Sequence, residues 1–330
     1  MNPRNSILAI AIAILCCLSC IPTEPEDGGS SDPVFDFIDI QFADEQQGLL
    51  VAGTSIYRTV DGGRTWNTSR WAPTYLKGAG YADLNTAVVV GNNWTVFRTA
   101  DGGETWTSPI DKDDFTYSAG FRAVSFVDDK TGWIAGGYDK IFRTLDGGVT
   151  WERQRCGASS DHIYDVCFTD ANTGTLATSR SIIRTENGGL TWTKQKDKME
   201  QVLLGVSFVD ASTGTVVGAD GLIMGTTDGG TTWTIQHKSP DDTVQLWDVC
   251  LTDANTGTVV GSGGRILRTV DGGDTWVEQV SGTDQRLRGV AFVNADTGMV
   301  VGSQSVILRT SNGGQKWTAL RFWTSLNPSN

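Results

Sequence analysis

The chain has 330 residues, of which 39% are hydrophobic and 19% charged, so it can fill a globular core. Its 40 glycines favour many tight turns over long helices. A net charge of −12 repels nucleic acid and anionic lipid surfaces at long range, which removes nucleic acid from the expected partners.

The first element is a targeting segment. "MNPRN" supplies Arg4, and "SILAIAIAILCCLS" is apolar over the length of a signal core but too short to span a bilayer. Cys20 closes it, and "IPTEPEDGGSSDP" then turns polar, acidic and rich in Pro and Gly. This pattern resembles a bacterial lipoprotein signal, although Cys17 stands where such signals usually carry leucine. The resemblance implies that residues 1–20 form a lipoprotein signal whose Cys20 becomes the acylated first residue, the lipid attachment point. Residues 21–34 read as a flexible tether, and the protein is expected outside the cytoplasm, held to a membrane only by its lipid. Cys156, Cys167 and Cys250 remain in the mature chain and allow one intrachain bridge at most. These three form no C-x-x-C pair and His162 and His237 lack ligand spacing, so no metal site or cofactor is expected.

From residue 35 onward the sequence repeats itself. "RTVDGGRTW" (58–66) returns as "RTADGGETW", "RTLDGGVTW", "RTENGGLTW", "GTTDGGTTW", "RTVDGGDTW" and "RTSNGGQKW". The closing tryptophans are spaced 40, 45, 41, 41, 43 and 41 residues apart, the length of a four-stranded propeller blade. Each period contains short β-branched runs separated by turn residues, as in "GVSFVDASTGTVVGADGLIMGTTDGGTTWTIQ". The predicted fold is all-β: a seven-bladed propeller of four-stranded antiparallel blades occupying 35–330.

The recurring phrase matches the Asp-box, or bacterial neuraminidase repeat, Ser/Thr-x-Asp-x-Gly-x-Thr-Trp. Its acids are Asp61, Asp101, Asp146, Asp228 and Asp271, with Asn187 and Asn312 in boxes four and seven. A short polar side chain here can accept bonds from backbone N–H groups a few residues on, and the paired glycines permit positive φ. An amide keeps the acceptor but loses acid–base capacity, so the Asn variants favour a structural role. The arginines that open six of the boxes are expected to make ion pairs between blades.

In a propeller of this topology the A–B turns and Asp-box turns share one face. The B–C turns and the connections between blades share the other, and it carries the irregular loops such as "ERQRCGASSDH" (152–162). Aligning the first strands singles out one position that wanders between basic and aromatic: Ile38, Lys77, Arg122, Tyr164, Leu204, Trp247 and Arg288. It is expected near the mouth of the central channel on the variable face. Trp71, Tyr75, Trp94, Tyr117 and the arginines Arg153, Arg155 and Arg286 lie in nearby loops. Arginines and aromatics anchor interfaces, so the candidate partner-binding residues are Trp71, Tyr75, Lys77, Trp94, Arg122, Tyr164, Trp247, Arg286 and Arg288. The next position holds Asp39, Asp165 and Asp248; a carboxylate pair could serve glycoside hydrolysis, but bonding to neighbouring backbone is favoured.

The whole repeat, "LxGVxFxDxxTGxVVGxxGxILRTxDGGxTW", resembles the photosystem II stability/assembly factor family of propellers. That resemblance implies a non-enzymatic scaffold that binds a protein partner, in part through an arginine-rich patch for which Arg122, Arg286 and Arg288 are candidates. Sialidases and xyloglucanases also carry Asp-boxes, so a glycan-acting hydrolase, or a lectin using Trp71, Trp94 and Trp247, is the alternative. Against the hydrolase, the sequence has no Arg-Ile-Pro motif and only one propeller.

Overall fold

The computed structural model describes residues 34–110, 119–158 and 161–322. The expected signal and Cys20, the tether up to residue 33, Tyr117 and the last eight residues lie outside the described residues. Seven antiparallel sheets, each made from consecutive strands, stand around a central channel. The inner strands are Phe37–Phe42, Leu76–Tyr81, Phe121–Phe126, Ile163–Phe168, Leu203–Phe208, Leu246–Leu251 and Leu287–Phe292. Each packs beside the inner strand of the next blade, and the last packs beside the first.

The second strands explain the core. Runs such as Gly48–Ala52, Gly132–Gly136 and Gly298–Gly302 are buried along their whole length because each is covered by a neighbouring blade on either side. Their first glycine is a steric requirement: a Cβ on Gly132 would lie 2.4 Å from the Phe126 ring, which folds across it. That aromatic ring in turn meets the box tryptophan edge-on, as Phe126 does with Trp151 at 6.4 Å and Phe208 with Trp233 at 6.0 Å.

Six blades have four strands. Among the described residues blade 2 has three, and its fourth is reduced to the pair Arg98–Thr107, which exchange both backbone hydrogen bonds at 2.9 and 2.8 Å. The cause is Pro109, two residues on, which has no N–H to continue the ladder. Among the described residues, no strand is exchanged between blades 1 and 7 where the ring closes. Phe35 N donates to Ser305 Oγ (2.8 Å) and Ser305 N to Phe35 O (2.7 Å). Phe322 then seats against Phe35, Phe37 and Tyr57 with centroids 4.8–5.4 Å away.

The Asp-box turns are closed from within. Asp61 Oδ1 accepts from the Thr59 hydroxyl (2.8 Å) and Thr65 N (2.9 Å), and Oδ2 accepts from the Thr65 hydroxyl (2.6 Å). The Thr59 hydroxyl also accepts from Gly63 N (2.9 Å), and Gly62 and Gly63 sit at φ 71° and 79°. The same bonds hold Asp101, Asp146, Asp228 and Asp271. The Thr275 hydroxyl and N–H bring the Asp271 carboxyl down to about 2. In box four Asn187 accepts from Thr191 N and donates its amide to the Thr191 hydroxyl (2.8 Å), so the turn survives without a charge. Asn312 keeps the bonds from the Thr310 hydroxyl and Lys316 N (both 3.0 Å) but has no second hydroxyl partner, because Lys316 replaces the threonine. Each box also donates a glycine N–H to the A–B turn of its own blade, as Gly62 does to Gln46 O (2.8 Å), which fixes both turns on one face.

Neighbouring blades are clamped at three distances from the axis. Near the axis, Asp39, Asp165 and Asp248 each accept the N–H of the next inner strand, from Ala79, Val206 and Val290, all at 2.8 Å. Ser125 and Ser207 do the same for Phe168 and Leu251. Farther out, the box arginines reach the next blade. Among the described residues only Arg58 pairs with an acid of that blade, Glu104 at 3.3 Å. Arg98, Arg143, Arg184 and Arg268 donate instead to the carbonyls of Gly147, Ala171, Ala211 and Ala295. The expected ion pairs are therefore mostly hydrogen bonds to backbone, since the turns facing these arginines present carbonyls. At the rim, Gln154, Gln195, Gln236 and Gln279, three residues after a box tryptophan, donate to a box glycine carbonyl of the next blade.

Candidate functional site: the channel mouth

Every inner strand carries a β-bulge at one place: the register slips between Phe37 and Asp39, Leu76 and Gly78, Phe121 and Ala123, and likewise in the other four blades. The residue between is the variable one of the alignment. Ile38, Lys77, Arg122, Tyr164, Leu204, Trp247 and Arg288 all line the channel and all are half-buried. A bulge sets an extra residue on one face and re-aims its side chain. Here it lets two successive residues face the channel, the variable one at the mouth and the Asp, Gly or Ala beneath it. The channel has a volume of about 390 Å³.

The mouth has two unlike halves. Blades 7, 2 and 3 contribute Arg288, Lys77 and Arg122; blades 4, 5 and 6 contribute Tyr164, Leu204 and Trp247. The halves meet where Arg122 lies over the Tyr164 ring (4.7 Å) and Arg288 over the Trp247 ring (5.5 Å). Burial, then repulsion from Arg122 and Arg288, pulls the Lys77 ammonium below its usual pKa. Among the described residues none of these three cations has an ion-pair partner. Two buried donors at the mouth, Trp247 Nε1 and Arg288 Nε, also find no acceptor.

Beneath the mouth, Asp39, Asp165 and Asp248 face the channel from blades 1, 4 and 6. Enclosure in the channel raises all three carboxyls, and their mutual repulsion adds to the rise at Asp165 and Asp248. Both oxygens of Asp165 and of Asp248 accept backbone N–H groups: Val166 and Val206 for the first, Val249 and Val290 for the second. Among the described residues, no group of three His, Cys, Asp or Glu side chains could hold a metal ion. Cys167 and Cys250 also face the channel, Cys156 is buried beside Asp139, and all three are free thiols.

The other residues singled out by sequence are spread around this mouth. Trp71 and Tyr75 are exposed on the variable face, and Lys77 lies 5.3 Å from the Tyr75 ring. Arg286 is exposed one step outside Arg288, while Arg153 and Arg155 sit exposed on the outer side of blade 3. Trp94 is a correction. It is 3% exposed and packs edge-on against Phe121 (5.2 Å) in the core between blades 2 and 3, so its ring offers no contact surface. Asn93 and Trp94 both have positive φ, and this left-handed turn swings the indole inward from a sequence that reads as loop.

Comparison with known proteins now bears on this arrangement. The family model described as Photosynthesis system II assembly factor YCF48 matches residues 73–160, 158–234, 190–246 and 236–329. The chain belongs to this family. Among solved structures, one of YCF48 bound to D1 peptide shares 20% identity over 84% of this chain and 94% of its own, with a TM-score of 0.69. YCF48 from Cyanidioschyzon merolae shares 20% identity over 85% and 97% of the two chains, again at 0.69. The GH74 xyloglucanase from Xanthomonas campestris has 13% identity over 87% of this chain and 54% of its own, also at 0.69. At such identities these structures share the fold. No curated protein matches the sequence.

Proposed function

We propose that this YCF48-type propeller is a non-catalytic scaffold that captures an extended segment of a protein partner at the channel mouth. The segment would place a carboxylate against Arg122, Lys77 and Arg288 and an apolar side chain against Tyr164, Leu204 and Trp247. The observation that carries this reading is the set of mouth donors without acceptors: three cations with no ion-pair partner among the described residues, and the buried Trp247 Nε1 and Arg288 Nε. Arginine forks match carboxylate geometry, and buried donors gain most from an incoming acceptor. That a family member has been solved bound to a D1 peptide supports a peptide as the ligand. A non-catalytic role is supported by the channel carboxylates, whose oxygens already serve as acceptors for the backbone of the ring. An extracytoplasmic address with a lipid on Cys20 belongs to the same proposal and rests on the sequence of residues 1–20.

The test is titration calorimetry with a synthetic nonapeptide that is rich in glutamate and leucine and ends in a free carboxylate. The triple variant R122A/W247A/R288A should keep its melting temperature and bind at least about 30-fold more weakly, the size of one hot-spot loss. Undiminished binding by the folded variant, or no binding by the native protein, would remove the mouth as the site. Exposed Trp71 and Tyr75 keep a glycan in view as a second reading, because flat aromatics stack on sugars. Binding of a xylo-oligosaccharide, lost in W71A/Y75A, would favour it over the peptide.

A further inference from the structure

Beside the mouth lies a second cavity of about 270 Å³. It is bounded by Asn92 and Gly137–Tyr138 from the B–C turns of blades 2 and 3, and by Ala119–Gly120 and His162 from the connections into blades 3 and 4. Arg122 lines both this cavity and the channel, so one guanidinium stands in the wall between them. The cavity is built with care. Tyr138 and Asp139 both adopt positive φ, which non-glycine residues rarely do, and the turn they form lays the Tyr138 ring 4.4 Å from that of His162. Asp139 is anchored by Cys156 N (2.8 Å), Cys156 Sγ (3.0 Å) and Ala158 N (3.2 Å), which ties the strained turn to the next connection. Gly137 carries no side chain where a Cβ would lie 3.3 Å from His162 Nδ1.

We propose that this cavity is a second anion subsite, taking a carboxylate side chain of the same bound segment, with Arg122 as its fixed cation and His162 as a cation gained on acidification. The inference rests on the peptide reading of the mouth. The groups facing His162 decide the sign of its response. Burial and the neighbouring Arg122 hold the imidazole below its usual pKa, with Asp161 opposing them; the rings of Tyr138 and Tyr164 flank it. Free His162 is therefore neutral at pH 7.5. A carboxylate placed between it and Arg122 offsets the repulsion and draws a proton onto the ring, so the ligand and the proton bind cooperatively. Binding must then tighten as pH falls, by as much as tenfold for each unit that the ligand raises the imidazole pKa.

The experiment measures affinity for the acidic nonapeptide at pH 7.5 and pH 5.5, where its carboxylates stay ionised. It compares the native protein with H162Q and with H162F, which keeps a ring against Tyr138 without a titrating nitrogen. The channel carboxylates contribute equally to all three proteins, so the quantity read is the difference in pH response. We expect the native protein to gain about fivefold to tenfold more affinity on acidification than either variant. Equal pH responses in native and variant proteins would overturn the subsite and leave the mouth standing. A native protein that does not bind at either pH would overturn the mouth itself.

Discussion

The channel carboxylates make a prediction about stability whose sign is opposite to the usual behaviour of a paired aspartate. Asp165 accepts two backbone N–H groups, which favours its ionised form, but enclosure in the channel and the neighbouring Asp39 charge outweigh them and raise its pKa from 3.8 to about 7. A carboxyl whose folded pKa exceeds its unfolded one binds more protons in the folded state. The stability this contributes is complete below about pH 4 and is lost as pH rises to about 7. Three units correspond to a ceiling of about 4 kcal/mol, and water in the open channel reduces that to about 2 kcal/mol. His162 and His237, whose pKa values burial depresses, act the other way across the same range. The readout is therefore the difference between native protein and D165N, in which the histidines cancel. Urea unfolding at pH 4.5, 6.0 and 7.5 should show the native protein losing about 2 kcal/mol relative to D165N between the first and last. Parallel stability curves for the two proteins would mean that Asp165 titrates as an ordinary surface acid, and the argument from enclosure would fail.

Two further substitutions test the frame around the mouth. D61A removes three hydrogen bonds from one box and should lower the melting temperature by about 2–5 °C, measured by calorimetry, while affinity for the nonapeptide at the opposite face stays unchanged. G78A would put a Cβ 2.4 Å from Arg122 O, between the inner strands of blades 2 and 3, at a cost of about 1–3 kcal/mol in urea unfolding. Because the clash displaces the backbone of Arg122, this variant should weaken peptide binding as well.

The seven blades were legible because the box is a local device: Asp61 bonds residues no more than four positions away, so its partners are adjacent letters. The mouth was legible as a position of unusual variety, and the bulge gives the reason, since each variable residue is left out of the ladder and faces the channel. Contacts between blades were harder to read. The glutamine clamps recur three residues after tryptophans 151, 192, 233 and 276, a periodic signal, but their partners lie 34 to 36 residues away. Trp94 was misread because the left-handed turn that buries it uses Asn93 and Trp94 rather than glycine. The His162 cavity left no mark, since it joins two turns and two connections that share no motif.

The clamps also account for how one repeated unit can carry a specific surface. Six of the seven blade boundaries are held by some combination of an inner Asp or Ser, a box arginine and a rim glutamine, the seventh by Phe35, Ser305 and Phe322, and none of these is a bulge residue. None of these clamps uses a mouth side chain, and three cations can gather on blades 7, 2 and 3 of a chain whose net charge is −12. At long range the molecule repels an acidic partner; within about a Debye length, roughly 8 Å at physiological salt, the mouth attracts one. Under the proposed function, capture would therefore depend on fit at short range rather than on steering. Such a ligand would present its carboxylate on a segment slender enough to enter the mouth, which an extended chain can do and a folded acidic surface cannot.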